Sequence, residues 1–238
     1  MRMIGIIGGM SAESTAHYYA EINAGVRKAL GGLHSAEILL WSVDFAEIAA
    51  MQAQGDWQKA GKLLADIALR LERAGADAIV LATNTMHKLA PQIEAAVSVP
   101  FIHIADATAA AIHARGCKRP ALMATAYTMD EDFYVGRLRE RHSLDVVLPN
   151  ASDRALIHRV IYDELCKGTV STISRAAFVA ISDRLAVAGA DCLILGCTEV
   201  GMLLNAANVA IPVFDPALIH AAAAVQFAVG QVHQQAAE

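Results

Sequence analysis

The chain has 238 residues, enough for one large domain or two of ordinary size, and 55% of them are hydrophobic against 18% charged. That balance excludes a disordered chain, and a formal net charge of −5 leaves no basic footprint for DNA, RNA or an anionic membrane. Aromatic residues make up only 5%, so Ala, Val, Ile and Leu carry the apolar content, as expected where buried parallel strands alternate with alanine-rich helices.

Taken in chain order, short apolar runs alternate with helical patterns, the signature of an α/β fold with mostly parallel strands. The opening MRMIGIIGG has one basic residue and meets glycine too early for a signal peptide, so residues 3–7 read as a buried first strand. Gly5, Gly8 and Gly9 match neither the dinucleotide fingerprint nor a Walker loop; tight turning of the backbone is the simpler reason for them. Further strands are expected at residues 37–43, 77–81, 101–104, 121–125, 144–147, 192–195 and 213–214. A helix is expected over 56–73, where Trp57, Leu63, Leu64, Ile67 and Leu71 recur at helical spacing, Asp56 can cap the start and Gly75 can close the end. Thr128-Met-Asp-Glu131 fits a capping box before another helix. No stretch reaches the roughly 18 uncharged apolar residues of a membrane span, so a soluble protein is expected. Cys117, Cys166, Cys192 and Cys197 show neither CxxC pairing nor metal-ligand spacing with histidine; no disulfide framework and no metal site are indicated, and a reducing cytoplasm suits them. The first three read as packing residues.

The informative feature is an internal duplication. Gly75-Ala-Asp-Ala-Ile-Val-Leu-Ala-Thr83-Asn-Thr85 returns as Gly189-Ala-Asp-Cys-Leu-Ile-Leu-Gly-Cys197-Thr-Glu199, an offset of 197 − 83 = 114, which makes Thr83 and Cys197 equivalent. Val99-Pro100-Phe101-Ile102 likewise matches Ile211-Pro212-Val213-Phe214 at an offset of 212 − 100 = 112. Two similar half-domains follow, 1–115 and 116–215, with a final helix over 216–238 that can pack back on the first.

In parallel sheets, ligands collect beyond the carboxyl ends of the strands, where free N–H groups are presented. Thr83 and Cys197 stand at such ends, and the backbone around Asn84–Thr85 and Thr198–Glu199 can hold a carboxylate. Two opposed acid/base groups are what inversion of a stereocentre needs, because a proton must leave one face of the carbon and return on the other. A cysteine thiol with a reference pKa near 8.5, lowered by a helix N-terminus, would be an available base near neutrality, and preorganised donors would stabilise the developing enolate-like charge. A lone cysteine is more often simply buried, and Thr83 can be read as β-branched filler at a strand end. The duplication favours the chemical reading.

These residues, with Gly8-Gly-Met-Ser11, Glu13-Ser14-Thr15, Ser42-Val-Asp-Phe45, Asn84-Thr-Met-His87, Tyr127-Thr-Met129, Glu164-Leu165, Lys167-Gly168 and Gly196-Cys-Thr-Glu199, resemble the aspartate/glutamate racemase superfamily over nearly the whole chain. The resemblance implies two similar α/β domains related by duplication, an active site at their interface, and a homodimer. It also implies a cofactor-independent reaction on a small-molecule amino acid, with no pyridoxal phosphate and no metal. It assigns Thr83 and Cys197 as the proton carriers and Met10, Ser11, Gln52, Asn84, Thr85, Thr125, Thr128, Lys167, Thr198 and Glu199 as pocket residues, with Lys167 toward a distal carboxylate. The family usually carries cysteine at both equivalent positions. Threonine at 83 implies weaker or unequal proton transfer on that side, since its hydroxyl does not ionise near neutrality. Asp44 would oppose an acidic side chain if it faced the pocket. His87, one turn past Thr83, can tune the site or be structural. Glu199 can cap a turn, orient the substrate ammonium or assist Cys197. Two alternatives stay open: a cofactor-free decarboxylase of activated malonates, which keeps cysteine only in the second half, and a non-catalytic amino-acid-binding homologue.

Overall fold

A computed structural model describes residues 1–230, and these divide into two compact units: Met1–Ile104 together with residues 220–230, and Ala105–Ile219. Among the described residues no helix is long and apolar enough to cross a membrane.

In the first unit the order is β1 (Ile4–Gly8), α1 (Ala12–Leu30), β2 (Ile38–Ser42), α2 (Phe45–Gln54), α3 (Trp57–Arg73), β3 (Ala78–Leu81), a 3-10 turn (Thr85–Leu89), α4 (Ala90–Ala96) and β4 (Phe101–Ile102). The strands form one parallel sheet in the order β2-β1-β3-β4, with Ile4 level with Ile38 on one side and Ala78 on the other. Buried on both faces, β1 and β3 read as unbroken apolar runs because neither strand has a solvent side that would demand polar alternation. The 56–73 pattern forms α3: Asp56 accepts from Lys59 N at 3.1 Å, the buried stripe of Ala60, Leu64, Ile67, Ala68 and Leu71 covers the sheet, and Gly75 follows at φ 105°. A side-chain cap of this kind contributes about 1 kcal/mol.

The second unit opens with α5 (Ile104–Ala114), whose first residue still belongs to unit one, and continues with β5 (Pro120–Met123), α6 (Ala126–Asp130), α7 (Asp132–His142), α8 (Ala151–Asp163), a 3-10 turn (Leu165–Lys167) and α9 (Thr172–Val187). It ends with β6 (Cys192–Leu195), a 3-10 turn (Thr198–Met202) and β7 (Val213–Phe214), which leads into α10 (Pro216–Val229). Its parallel sheet runs β5-β6-β7, repeating β1-β3-β4 of the first unit. The place of β2 is taken by one bridge, Ala121 to Val147: the strand expected at 144–147 is reduced to that contact. The proposed capping box at Thr128 also fails. Thr128 lies inside α6, its hydroxyl 3.3 Å from that of Thr125, and Glu131 precedes α7 without a side-chain cap.

The boundaries differ from 115/116 and 215/216. Unit two begins at Ala105 because α5 is tied to it by Asp106, which takes Arg137 in two bonds (2.7 and 2.6 Å) and His142 at 2.7 Å. The first turn of α10 stays there too, its Ala217 N–H donating to Asp215 at 2.9 Å. From His220 the helix belongs to unit one, where Ala228 O accepts from Arg2 N at 3.0 Å and Val225 packs so near Gly25 that a Cβ there would stand 2.7 Å away. The part of the expected 216–238 helix beyond 230 lies outside the described residues.

Candidate active site

The duplicated frame sets both strand ends by the same bond. Ala82 N donates to Ile7 O at 2.9 Å, and its equivalent Gly196 N donates to Met123 O at 2.8 Å, so Thr83 and Cys197 each stand one residue past a locked strand. From there the two ends diverge.

At the first, Thr83 N turns back to Leu81 O at 2.9 Å and Thr83 O is met by His87 Nδ1 at 2.7 Å. Asn84 and Thr85 lead into the 3-10 turn, and Met86 behind them joins Met10, Ile48 and Met51 in one apolar core. Gln52, on α2, donates to Met86 Sδ at 3.0 Å, so Met10, Gln52 and the Thr83–Thr85 loop belong to one neighbourhood. Ser11 is used as the cap of α1, accepting from Ser14 N at 3.2 Å. Asp44 caps α2 through Ala46 N at 3.0 Å and is exposed, which gives that carboxylate a structural reason to be present.

At the second, Cys197 Sγ donates to Glu199 Oε2 at 2.8 Å and Thr198 Oγ1 donates to the same oxygen at 2.6 Å. Burial, then the Glu199 carboxylate, push the Cys197 thiol well above its ordinary value. The expectation of a lowered thiol is therefore overturned. Strand β6 is followed by a five-residue 3-10 turn in place of a long helix, so there is little dipole to favour the thiolate and a negative charge beside it to oppose one. Thr125 and Thr128 are buried together at the end of neighbouring β5.

Lys167 is exposed and lies 3.8 Å from Asp163. The position of its turn that answers to the thiol is Cys166, which its sequence context alone marks only as packing. The 165–167 turn packs against the 198–202 turn, and although Cys166 keeps an exposed side, partial desolvation with the Glu199 charge pushes it up to about 11. Tyr162 is a further residue that the motifs do not single out: burial, with Tyr127, Cys166, Cys197 and Glu199 around it, pushes its phenol up to about 12. Beside it His158, its ring 4.7 Å from that of Tyr162, accepts from Ala126 N at 3.2 Å. His158 and Tyr162, four residues apart, fall on one face of α8, and Cys166 follows in the 165–167 turn.

Cys117 and Cys192 lie apart from this group, with their sulfurs and an Asp191 oxygen within 4.8 Å of one another at the opposite end of β5 and β6. Burial pushes the Cys192 thiol up, and Asp191 is already committed to Lys118 N and Arg119 N at 2.6 and 3.0 Å. The two cysteines form a packing pair.

Comparison with known proteins follows the same lines. The chain is similar to a broad specificity amino-acid racemase of Bacillus subtilis (strain 168), 24% identical over 224 residues that cover 90% of this chain and 92% of the relative. Its fold matches the crystal structure of an Asp/Glu racemase candidate from Yersinia pestis with a TM-score of 0.94, at 50% identity over 96% of this chain and 100% of the other. It matches an aspartate racemase homologue from Pyrococcus horikoshii OT3 with a TM-score of 0.85, at 34% identity over 96% and 99%. Residues 7–224 fit the model of the Asp/Glu/hydantoin racemases, and with the duplicated strand ends already described this chain belongs to that family, as an isomerase of amino acids.

Proposed function

We propose that the chain inverts the α-carbon of aspartate, glutamate or a broader set of amino acids without a cofactor, with Thr83 and Cys197 as the two proton carriers. The observation that carries this reading is the Cys197–Glu199 pair at the strand end equivalent to Thr83: a thiol with a carboxylate 2.8 Å away has somewhere to put its proton. In one direction the thiol proton passes to Glu199, the resulting thiolate takes the α-proton, the Thr83 hydroxyl delivers its proton to the other face and is reprotonated from water, and Glu199 gives its proton back to solvent. In the other direction the Thr83 hydroxyl must lose its own proton to water as it takes the α-proton, which is the demanding step, while the Cys197 thiol donates to the other face and regains its proton from solvent. Equilibrium between enantiomers in an achiral solvent is 1:1 whatever the imbalance, so the asymmetry is kinetic.

Backbone N–H groups of Asn84, Thr85 and Thr198 are assigned to the α-carboxylate, with Met10, Ser11, Gln52, Thr125 and Thr128 lining the pocket and Lys167 reserved for a distal carboxylate. A homodimer and a cytoplasmic location belong to the same reading; sedimentation tests the former. The decisive assay incubates the protein with L- and D-aspartate, L- and D-glutamate and neutral amino acids in heavy water. Deuterium should enter the α-position of at least one, and Cys197→Ser should end net racemisation. Binding without exchange would turn the reading into an amino-acid-binding protein, and carbon dioxide release from an arylmalonate would turn it into a decarboxylase.

A further inference from the structure

Behind the Thr83 loop stands a buried histidine group that the proton-transfer scheme leaves unused. His87, His103 and His220 are 1%, 3% and 0% exposed, and the His87 ring centroid lies 4.6 Å from His103, 5.5 Å from Phe101 and 5.7 Å from His220. The bonds around His87 decide its tautomer. Its Nε2 accepts from Ile104 N at 3.2 Å, which a protonated nitrogen cannot do, so the ring hydrogen is on Nδ1 and is donated to Thr83 O at 2.7 Å. His220 is fixed from both sides as well, Nδ1 3.1 Å from the Tyr18 hydroxyl and Nε2 2.6 Å from Ile102 O, and burial pushes it down to about 4. The wall behind His87 is therefore itself held.

The duplication shows that this device is not part of the shared frame. The position equivalent to His87, 87 + 114 = 201, is Gly201, and in the second unit the carboxylate of Glu199 grips the thiol side chain instead. One strand end holds its reactive residue by the backbone, the other by the side chain.

We infer that His87 is a positioning residue for the Thr83 side of the reaction: its Nδ1–H fixes the Thr83–Asn84 peptide, aiming the Thr83 hydroxyl and the Asn84 N–H. This rests on the racemase reading. With Thr83 N held by Leu81 O and Thr83 O held by the ring, both backbone groups of the residue are pinned and its Cβ direction follows. Donation to the carbonyl also polarises the peptide and strengthens its Asn84 N–H as a donor. A threonine hydroxyl, poor at proton transfer, gains most from accurate placement, since a misplacement of about 1 Å can cost a hundredfold.

Two substitutions separate the two ring nitrogens. His87→Asn keeps a donor where Nδ1 stood and gives up the acceptor for Ile104; His87→Gln keeps an acceptor near Nε2 and gives up the Thr83 bond. Solvent deuterium entering each enantiomer of the accepted amino acid is measured separately at early times, because net racemisation must stay balanced between directions whereas exchange on one face need not. His87→Gln should lose at least tenfold on the enantiomer that Thr83→Ala also silences, with the other enantiomer within threefold, and His87→Asn should keep both within threefold. Equal losses on both enantiomers, or Asn faring no better than Gln, would overturn the inference, since a general loss of folding moves both together. If the wild-type protein exchanges no amino acid at all, the racemase reading fails, and His87 is judged by nitrogen NMR and amide exchange. A bare Nδ1, or a Thr83–Asn84 loop equally protected in both variants, would remove the positioning role.

Discussion

Replacing Glu199 by glutamine should make Cys197 more reactive toward an alkylating agent while making the protein worse at exchanging α-protons. The carboxylate lies 2.8 Å from the sulfur, and two unit charges at that distance repel by about 1.5 kcal/mol even at the dielectric constant of water, about tenfold in thiolate population. At this half-buried site the effective dielectric constant is below that of water, so tenfold is the floor. The amide of Glu199→Gln would keep the side-chain size and offer an N–H donor to the thiolate, which acts in the same direction. The assay is iodoacetamide alkylation near pH 7.5, followed peptide by peptide. Cys197 should speed up at least tenfold and Cys166, which Glu199 also raises, should speed up as well, whereas Cys192 and Cys117 should be unmoved. The sign with pH follows: the reactive form is deprotonated and the thiol is raised, so wild-type Cys197 alkylation should climb about tenfold per pH unit through neutrality and show no plateau below pH 9. Exchange moves the opposite way in Glu199→Gln because the acceptor for the thiol proton is gone. Unchanged or slower alkylation of Cys197 would refute the whole electrostatic account of this strand end.

Other outcomes follow from named contacts. Gly196→Ala places a Cβ 2.6 Å from Ala124 Cβ and 2.7 Å from Leu122 Cδ1, so it should destabilise by about 1–3 kcal/mol and displace Cys197, read as a lower melting temperature with at least tenfold loss of exchange. Asp106→Asn should cost about 1–2 kcal/mol in urea unfolding at pH 7, a figure discounted for the partial exposure of the carboxylate. Arg137 and His142 hold the Asp106 carboxyl below its ordinary value against the opposing effect of burial, so that stability is fully present above the unfolded pKa of about 3.9 and is lost as pH falls through the folded one; the variant's deficit should vanish in strong acid. Thr83→Cys should raise exchange on the slower enantiomer; no gain there would remove residue 83 from proton transfer.

The strand ends were legible because a parallel strand buried on both faces writes itself as an apolar run, and Cys192–Leu195 and Val213–Phe214 are found at the expected residues. Where burial is weak the reading loosens. Residues 144–147 carry a strand's composition, yet only Val147 meets β5 in a bridge, because pairing at a sheet edge depends on a partner that local sequence does not name. The caps divide the same way: Asp56 precedes a long amphipathic stripe and caps it, whereas Thr128 has the capping spelling but lies within a short helix that Thr125 already starts.

The candidate site divides along a different line. Duplication constrains the backbone, and backbone equivalence is what a repeated sequence reveals, hence Ala82 and Gly196 make the same bond to neighbouring strands. Protonation is decided by side chains that the repeat does not share. Glu199 stands where the first half has Thr85, and Gly201 where it has His87, so the thiol donates to a carboxylate in one half and the Thr83 backbone carbonyl meets a ring nitrogen in the other. A rule about helix N-termini predicted a lowered thiol from the generic frame; the specific carboxylate two residues on, with burial, reversed the sign. The same logic explains Cys166 and Tyr162, which gain their meaning only when the end of α8 and the turn after it come beside Glu199. The two halves thus share the three strands that carry residues 83 and 197 and differ in the side chains around them, which is the division expected if the repeat supplies the scaffold and divergence supplies the asymmetry between Thr83 and Cys197.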